Sequence, residues 1–138
     1  MAIIGLDVGD RYIGIAMAVG TVAVPVAVIK RTEEATDLER IAALTSDYET
    51  ELIVIGLPRS MDGSIGAQAE LVLEFAKSLS NYTDIPIDMC DERLTTVTAD
   101  RLLQESGAKR KQRKANIDAM AAAVILQAYI DGTNKGSD

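Results

Sequence analysis

At 138 residues, with 48% of them apolar and 25% charged, the chain has the make-up of one globular domain able to bury roughly 68% of its unfolded surface. It contains no histidine and one cysteine, Cys90, which excludes Ser-His-Asp and Cys-His mechanisms, zinc sites built on histidine or several thiolates, and an internal disulfide. Catalysis would have to run on Asp, Glu, Lys, Tyr, Ser or Thr, and an oxygen-rich site favours a hard cation, Mg²⁺ or Mn²⁺.

The net charge of -7 argues against a nucleic-acid protein until its distribution is considered. Lys109-Arg110-Lys111-Gln112-Arg113-Lys114 places five of the 14 basic residues in six positions, so the other nine face 21 acids. Such a basic loop is either a solvated linker or a grip on phosphates. No apolar run reaches the roughly 18 residues of a membrane span. The N-terminus enters a strand without the basic stretch and apolar core of a signal peptide, so a cytoplasmic protein is expected.

In chain order, Ala2–Val8 reads as a buried strand and Tyr12–Ala18 as a second. Residues 21–30 read as a third, with Val22, Val24, Val26 and Val28 at period two. Pro25 marks that third strand as an edge or a bend, because proline cannot donate to a ladder. The short turns at Asp10-Arg11 and Gly20 imply an antiparallel meander. A helix is expected over 36–48, a compact strand over 52–57, a loop over 58–64 and a helix over 65–79 with Leu71, Val72, Phe75 and Leu79 on one face. A strand over 85–90, with Cys90 as buried filler, and helices over 97–104 and 117–130 complete the pattern, the last apolar on nearly every side and therefore in the core. Residues 132–138 are polar and expected to fray.

Strands and helices in the order β-β-β-α-β-α-β-α-α, with a carboxylate ending the first strand, form the layout of the ribonuclease H-like fold. It is an α/β domain spanning 1–138, whose five-stranded mixed sheet has three antiparallel strands, then two parallel ones, flanked by helices.

Three acids stand where strands end or helices begin. Asp7, inside the apolar strand Ile3-Ile4-Gly5-Leu6-Asp7-Val8, must be paired, hydrogen-bonded or bound to a cation, since an uncompensated buried carboxylate is costly. Asp10 and Gly9 read as turn residues, Gly9 supplying positive φ. Asp91 and Glu92 end the strand over 85–90 and repel each other unless the pleat separates them, so one faces the site, and Glu92 is chosen. Asp118 follows Asn116, which could cap a helix while Asp118 complements its dipole. The small residues Ala119, Ala121, Ala122 and Ala123 would also let that helix approach the sheet closely enough for Asp118 to reach Asp7.

The segments Gly5-Leu6-Asp7-Val8-Gly9, Gly56-Leu57-Pro58, Met61-Asp62-Gly63, Asp91-Glu92-Arg93-Leu94-Thr95-Thr96 and Ile117-Asp118-Ala119 together resemble the YqgF family of bacterial proteins. That is a family of Holliday junction resolvases and of nucleases that mature the precursor of small-subunit (16S) ribosomal RNA. The resemblance covers almost the whole chain. It implies a ribonuclease H-like fold and a hydrolase whose Asp7, Glu92 and Asp118 are both catalytic residues and ligands of Mg²⁺ or Mn²⁺. The implied partner is structured RNA, such as a ribosomal precursor, or branched DNA, held by Lys109, Arg110, Lys111, Arg113 and Lys114. A resolvase would act as a homodimer and an RNA-trimming enzyme could be a monomer. Two rival readings remain: a ribosomal-RNA assembly factor with a silent site, and a domain related to actin-like and sugar-kinase ATPases, whose first phosphate-binding strand Gly5 to Gly9 also resembles.

Overall fold

The computed structural model describes residues 2–60, 62–92 and 110–136, the last helix being described by backbone alone at 110–118 and 133–136. Strands β1 (Ala2–Val8), β2 (Tyr12–Ala18) and β3 (Ala23–Lys30) are followed by helix α1 (Glu34–Asp47) and strand β4 (Thr50–Leu57). Helix α2 (Ala67–Leu79), strand β5 (Ile87–Asp91) and helix α3 (Arg110–Gly136) complete the described chain. The helix expected over 97–104 and the residues Arg93 to Thr96 lie outside the described residues.

The five strands form one sheet in the order β3-β2-β1-β4-β5. Antiparallel pairing joins β1 to β2 and β2 to β3, while β1–β4 and β4–β5 are parallel, the mixed sheet expected. β1 therefore lies in the centre, and β3 at an edge, where Pro25 is tolerated. The register slips there: Ile15 faces Ala27 but Ala16 faces Pro25, so Val26 is the extra residue of a bulge. Of the alternating valines, Val22, Val24 and Val28 are exposed at this open edge.

Side chains alternate across the sheet, and each face has its own core. On one, Ile4, Leu6, Ile13, Ile15, Ile53 and Ile55 pack against α1 (Leu38, Ile41) and α2 (Ala69, Val72, Phe75, Leu79). Leu71, expected on that face of α2, is exposed, since it lies about 100° around the helix from Val72. On the other face Ala16, Ala18 and Val54 meet Ala122, Ala123, Ile125, Leu126 and Ile130 of α3. That approach is close: a Cβ on Gly5 would lie 2.8 Å from Leu126 Cβ and 3.2 Å from the Ala122 carbonyl. The helix is buried as expected.

Helix α3 departs from expectation at both ends. It starts at Arg110 rather than 117, so Asn116 is not its cap, Asp118 is its ninth residue, and Arg110 to Lys114 are helical instead of forming a loop. Arg, Lys, Gln and Ala all propagate a helix well, and no glycine or proline interrupts 110–131, which outweighs the stop suggested by Asn116. The backbone also stays helical to Gly136, beyond the expected start of the frayed tail. Along its middle, Gln127 closes the sheet edge: its amide accepts a hydrogen bond from Ala23 N–H and donates to the Thr21 carbonyl, both at 2.9 Å.

Candidate active site at the carboxyl ends of β1 and β5

Asp7 lies on the α3 side of β1, two residues beyond Gly5, and is half-buried. Glu92 follows β5 and shares the parity of Cys90, whose side chain packs on the α3 side and whose Sγ reaches the Ile125 carbonyl at 3.6 Å. Parallel pairing aligns Leu6 with Ile55 and Gly56 with Cys90, so Gly56 sits between the two acids. A Cβ at Gly56 would fall 2.7 Å from Glu92 Oε1, 3.1 Å from its Cδ and 2.5 Å from Ile125 Cδ1. Glycine is required there because the Glu92 carboxyl occupies the space above it.

The two acids are in contact. Burial, the negative charge of Asp7, a side-chain hydrogen bond with Asp7 and then the charge of Asp91 push the Glu92 carboxyl up to about 7 from an ordinary value of 4.5. A carboxyl that keeps its proton near neutrality can bridge to a neighbouring carboxylate; two ionised ones at this distance would repel. The choice of Glu92 over Asp91 agrees with this placement, Asp91 being aligned with Leu57 on the alternate parity. Cys90, expected as buried filler, is only half-buried, and burial, then the charges of Asp91, Glu92 and Asp88, push its thiol up to about 11, which keeps it protonated near neutrality.

The donors are all oxygen, and a pair that needs a proton to coexist suits a hard divalent cation in the proton's place. Among the described residues no three His, Cys, Asp or Glu side chains converge as a metal group. The side chain of Asp118, and those of Lys109, Arg110, Lys111, Arg113 and Lys114, lie outside the described residues, so the structure brings together Asp7 and Glu92 from the expected set. No described helix is long and apolar enough to cross a membrane.

The neighbouring turn differs from expectation. Gly9 does not supply a positive φ; the described glycines that do are Gly20 (φ 88) and Gly63 (φ 89). Gly9 is required by proximity, since its Cβ would lie 2.9 Å from the Tyr12 carbonyl that its own N–H bonds. Two groups escaped sequence reasoning altogether. Asp37 is fully buried and accepts hydrogen bonds from Thr32 N–H and Oγ1, and the Arg31 guanidinium bonds the Gly9 carbonyl. The five-residue spacing of Thr32 and Asp37 before an apolar helix was the available signal.

The fold is ribonuclease H-like, and comparison with known proteins defines the class further. The model of the RuvX family, described as Holliday junction resolvase, matches residues 1–132. A Clostridium botulinum protein named "Putative pre-16S rRNA nuclease" is 46% identical over 98% of this chain and 100% of its own length. A protein of the same name from Desulforamulus reducens is 44% identical over the same shares. The chain belongs to this family of nucleases, the one its motifs resemble. Among solved structures, Thermus thermophilus RuvC in complex with a Holliday junction superposes with a TM-score of 0.62 over 96% of each chain at 14% identity. The Fowlpox virus resolvase in complex with junction DNA gives 0.58, covering 96% of this chain and 99% of its own at 12% identity.

Proposed function

We propose that the protein hydrolyses phosphodiester bonds of structured RNA, in maturation of the small-subunit ribosomal RNA precursor, with Asp7, Glu92 and Asp118 as its catalytic carboxylates. The observation that carries this is the Asp7–Glu92 contact over Gly56. Two acids pressed together at the carboxyl ends of parallel strands, where binding crevices of such sheets lie, are poorly explained by stability alone.

The backbone course of α3 supports reading Asp118 as the third member of the set. Ile125 reaches Gly56, one residue past the Leu6–Ile55 pair, whereas Gln127 bonds Ala23, which is paired to Ala18 opposite Ile3. Helix α3 thus runs back along β1 from its carboxyl end. Asp118, one turn before Ala122, falls on the Asp7 side of Gly5.

The three carboxylates would hold Mg²⁺ or Mn²⁺, which supplies an activated water and stabilises charge on the phosphate and leaving oxygen. The chain's own residues orient that centre and bind the backbone. Lys111, Arg113 and Lys114 precede Asp118 on the same helix by seven, five and four residues, and with Arg110 make a cationic start to α3, to which the sequence adds Lys109. A cytoplasmic location follows from such a substrate.

The test is cleavage of precursor-like RNA and of a four-way DNA junction by the purified protein with Mn²⁺. Asp7→Asn and Asp118→Asn are each expected to lose at least about a thousand-fold in rate with an unchanged circular dichroism spectrum. Full activity in Asp7→Asn would overturn the site, and cutting of the junction alone would replace RNA by branched DNA as substrate.

A further inference from the structure

The β1–β2 turn leaves the sheet directly after Asp7, and its shape depends on a side chain from elsewhere. Arg31 follows β3; its backbone N–H donates to the Arg11 carbonyl at 2.8 Å and its Nη1 donates to the Gly9 carbonyl at 2.9 Å. Gly9 is thereby held on both sides, because its N–H donates to the Tyr12 carbonyl at 2.9 Å within the turn. The guanidinium is itself fixed. Fully buried Asp37 stands 3.9 Å from Nε, anchored by Thr32 N–H at 3.1 and 3.2 Å and by the Thr32 hydroxyl at 3.0 Å. The ring of Phe75 lies 5.5 Å from the guanidinium carbon, within cation–π range.

A cation locked by a buried counterion and an aromatic ring, and aimed at a neutral backbone carbonyl, determines where that backbone goes. Phe75 belongs to the α1 and α2 side of the sheet, opposite the carboxylates. Arg31 therefore acts on the site through the chain.

We propose that Arg31 is a positioning residue for Asp7: its bond to the Gly9 carbonyl sets the exit of β1 and so holds the Asp7 carboxylate against Glu92. This rests on the reading of Asp7 as part of the cleavage site.

Arg31→Met keeps the aliphatic stem and removes the donors, and Arg31→Lys restores one. In metal-free protein, hydrogen exchange at the Gly9 amide is expected to quicken about ten-fold or more in Arg31→Met and to stay near wild type in Arg31→Lys. In Mn²⁺-dependent cleavage, Arg31→Met is expected to lose about 10- to 100-fold in kcat at unchanged KM, with Arg31→Lys within about five-fold of wild type. If Arg31→Met does not fold, Arg31→Leu, which also lacks a donor, takes its place with the same expected outcomes. Wild-type exchange and kcat in the donor-free variant would overturn the proposal, as would a raised KM with a shallower salt dependence at unchanged kcat, which would mean that Arg31 touches nucleic acid. Failure of the wild-type protein to cleave would overturn the nuclease reading instead, leaving the exchange measurement to decide on the turn.

Discussion

The two faces of the sheet are built from the same strands by opposite rules. On the α1 and α2 side, β1 and β4 present Ile4, Leu6, Val8, Ile53, Ile55 and Leu57, all buried aliphatics. On the α3 side the alternate residues are Ile3, Gly5, Asp7, Leu52, Val54 and Gly56, which begin in large aliphatics and finish at the carboxyl end in an acid and a glycine. One face fills space, which gives cohesion. The other leaves space, into which a helix and a carboxyl can come close. Period two thus lets one strand serve stability and chemistry at adjacent positions, because neighbouring residues share a backbone but no surroundings.

Adjacent substitutions on β4 give the strongest way to break this comparison. Ile55→Ala removes a fully buried side chain and is expected to cost about 2 to 5 kcal/mol, with turnover per folded molecule unchanged well below the melting temperature. Gly56→Ala sets a methyl group against Glu92 and Ile125. It should destabilise less, by about 1 to 3 kcal/mol, and reduce cleavage about 100-fold by displacing the carboxyl. Thermal melts and single-turnover rates check both, and equal loss of rate in the two variants would end the division of labour.

The basic start of α3 sharpens the contrast further. Replacing Lys109, Arg110, Lys111, Arg113 and Lys114 by Gln should weaken nucleic-acid binding while leaving the melting temperature nearly unchanged. For every phosphate that no longer meets a cation, the slope of log affinity against log salt should flatten by about 0.7 to 0.9. Binding titrations at several salt concentrations measure this, and an unaltered slope would return the segment to solvent.

The smallest effect is a pH dependence peculiar to the carboxylate face. With the Glu92 carboxyl raised from 4.5 to about 7, the folded protein binds more protons than the unfolded chain between those values. The stability this group contributes is therefore full below 4.5, declines as pH rises towards 7 and is flat above. Since Glu92 is open to solvent in part, the decline should be about 1 kcal/mol, or roughly 3 °C in Tm. With no histidine in the chain, little else titrates in that window. Melts in chelator between pH 5.5 and 8 should show the fall and Asp7→Asn should reduce it; a rise in Tm with pH would contradict the contact.

Much of the fold and part of the candidate site are legible in the residues themselves. The strands announce themselves as short apolar runs between turn residues, Pro25 by its chemistry marks the edge, and Asp7 stands out because an acid in an apolar strand needs a partner. The pleat says that one of Asp91 and Glu92 turns away from the other, but not which one faces Asp7. What stays hidden is tertiary or rests on weak local signals. Asn116 is a good cap, yet helix-forming neighbours carry α3 through it from Arg110. Gly56 is legible as part of a strand end, but its use as the seat of Glu92 depends on β5 lying beside β4. Arg31 and Asp37 look like ordinary charges until α1, β3 and the turn after Asp7 meet.

Helix α3 comes after every described strand in the chain, yet among the described residues it supplies the second core's covering. During synthesis the sheet is complete once Asp91 has emerged, while Ile130, which closes the second core, follows about 40 residues later. At roughly 5 to 20 residues per second that interval is about 2 to 8 seconds. Throughout it Ala16, Ala18 and Val54 are bare to solvent beside an uncapped strand edge, so the stretch of time in which a nascent chain is most open to misassociation is written into the order of its elements.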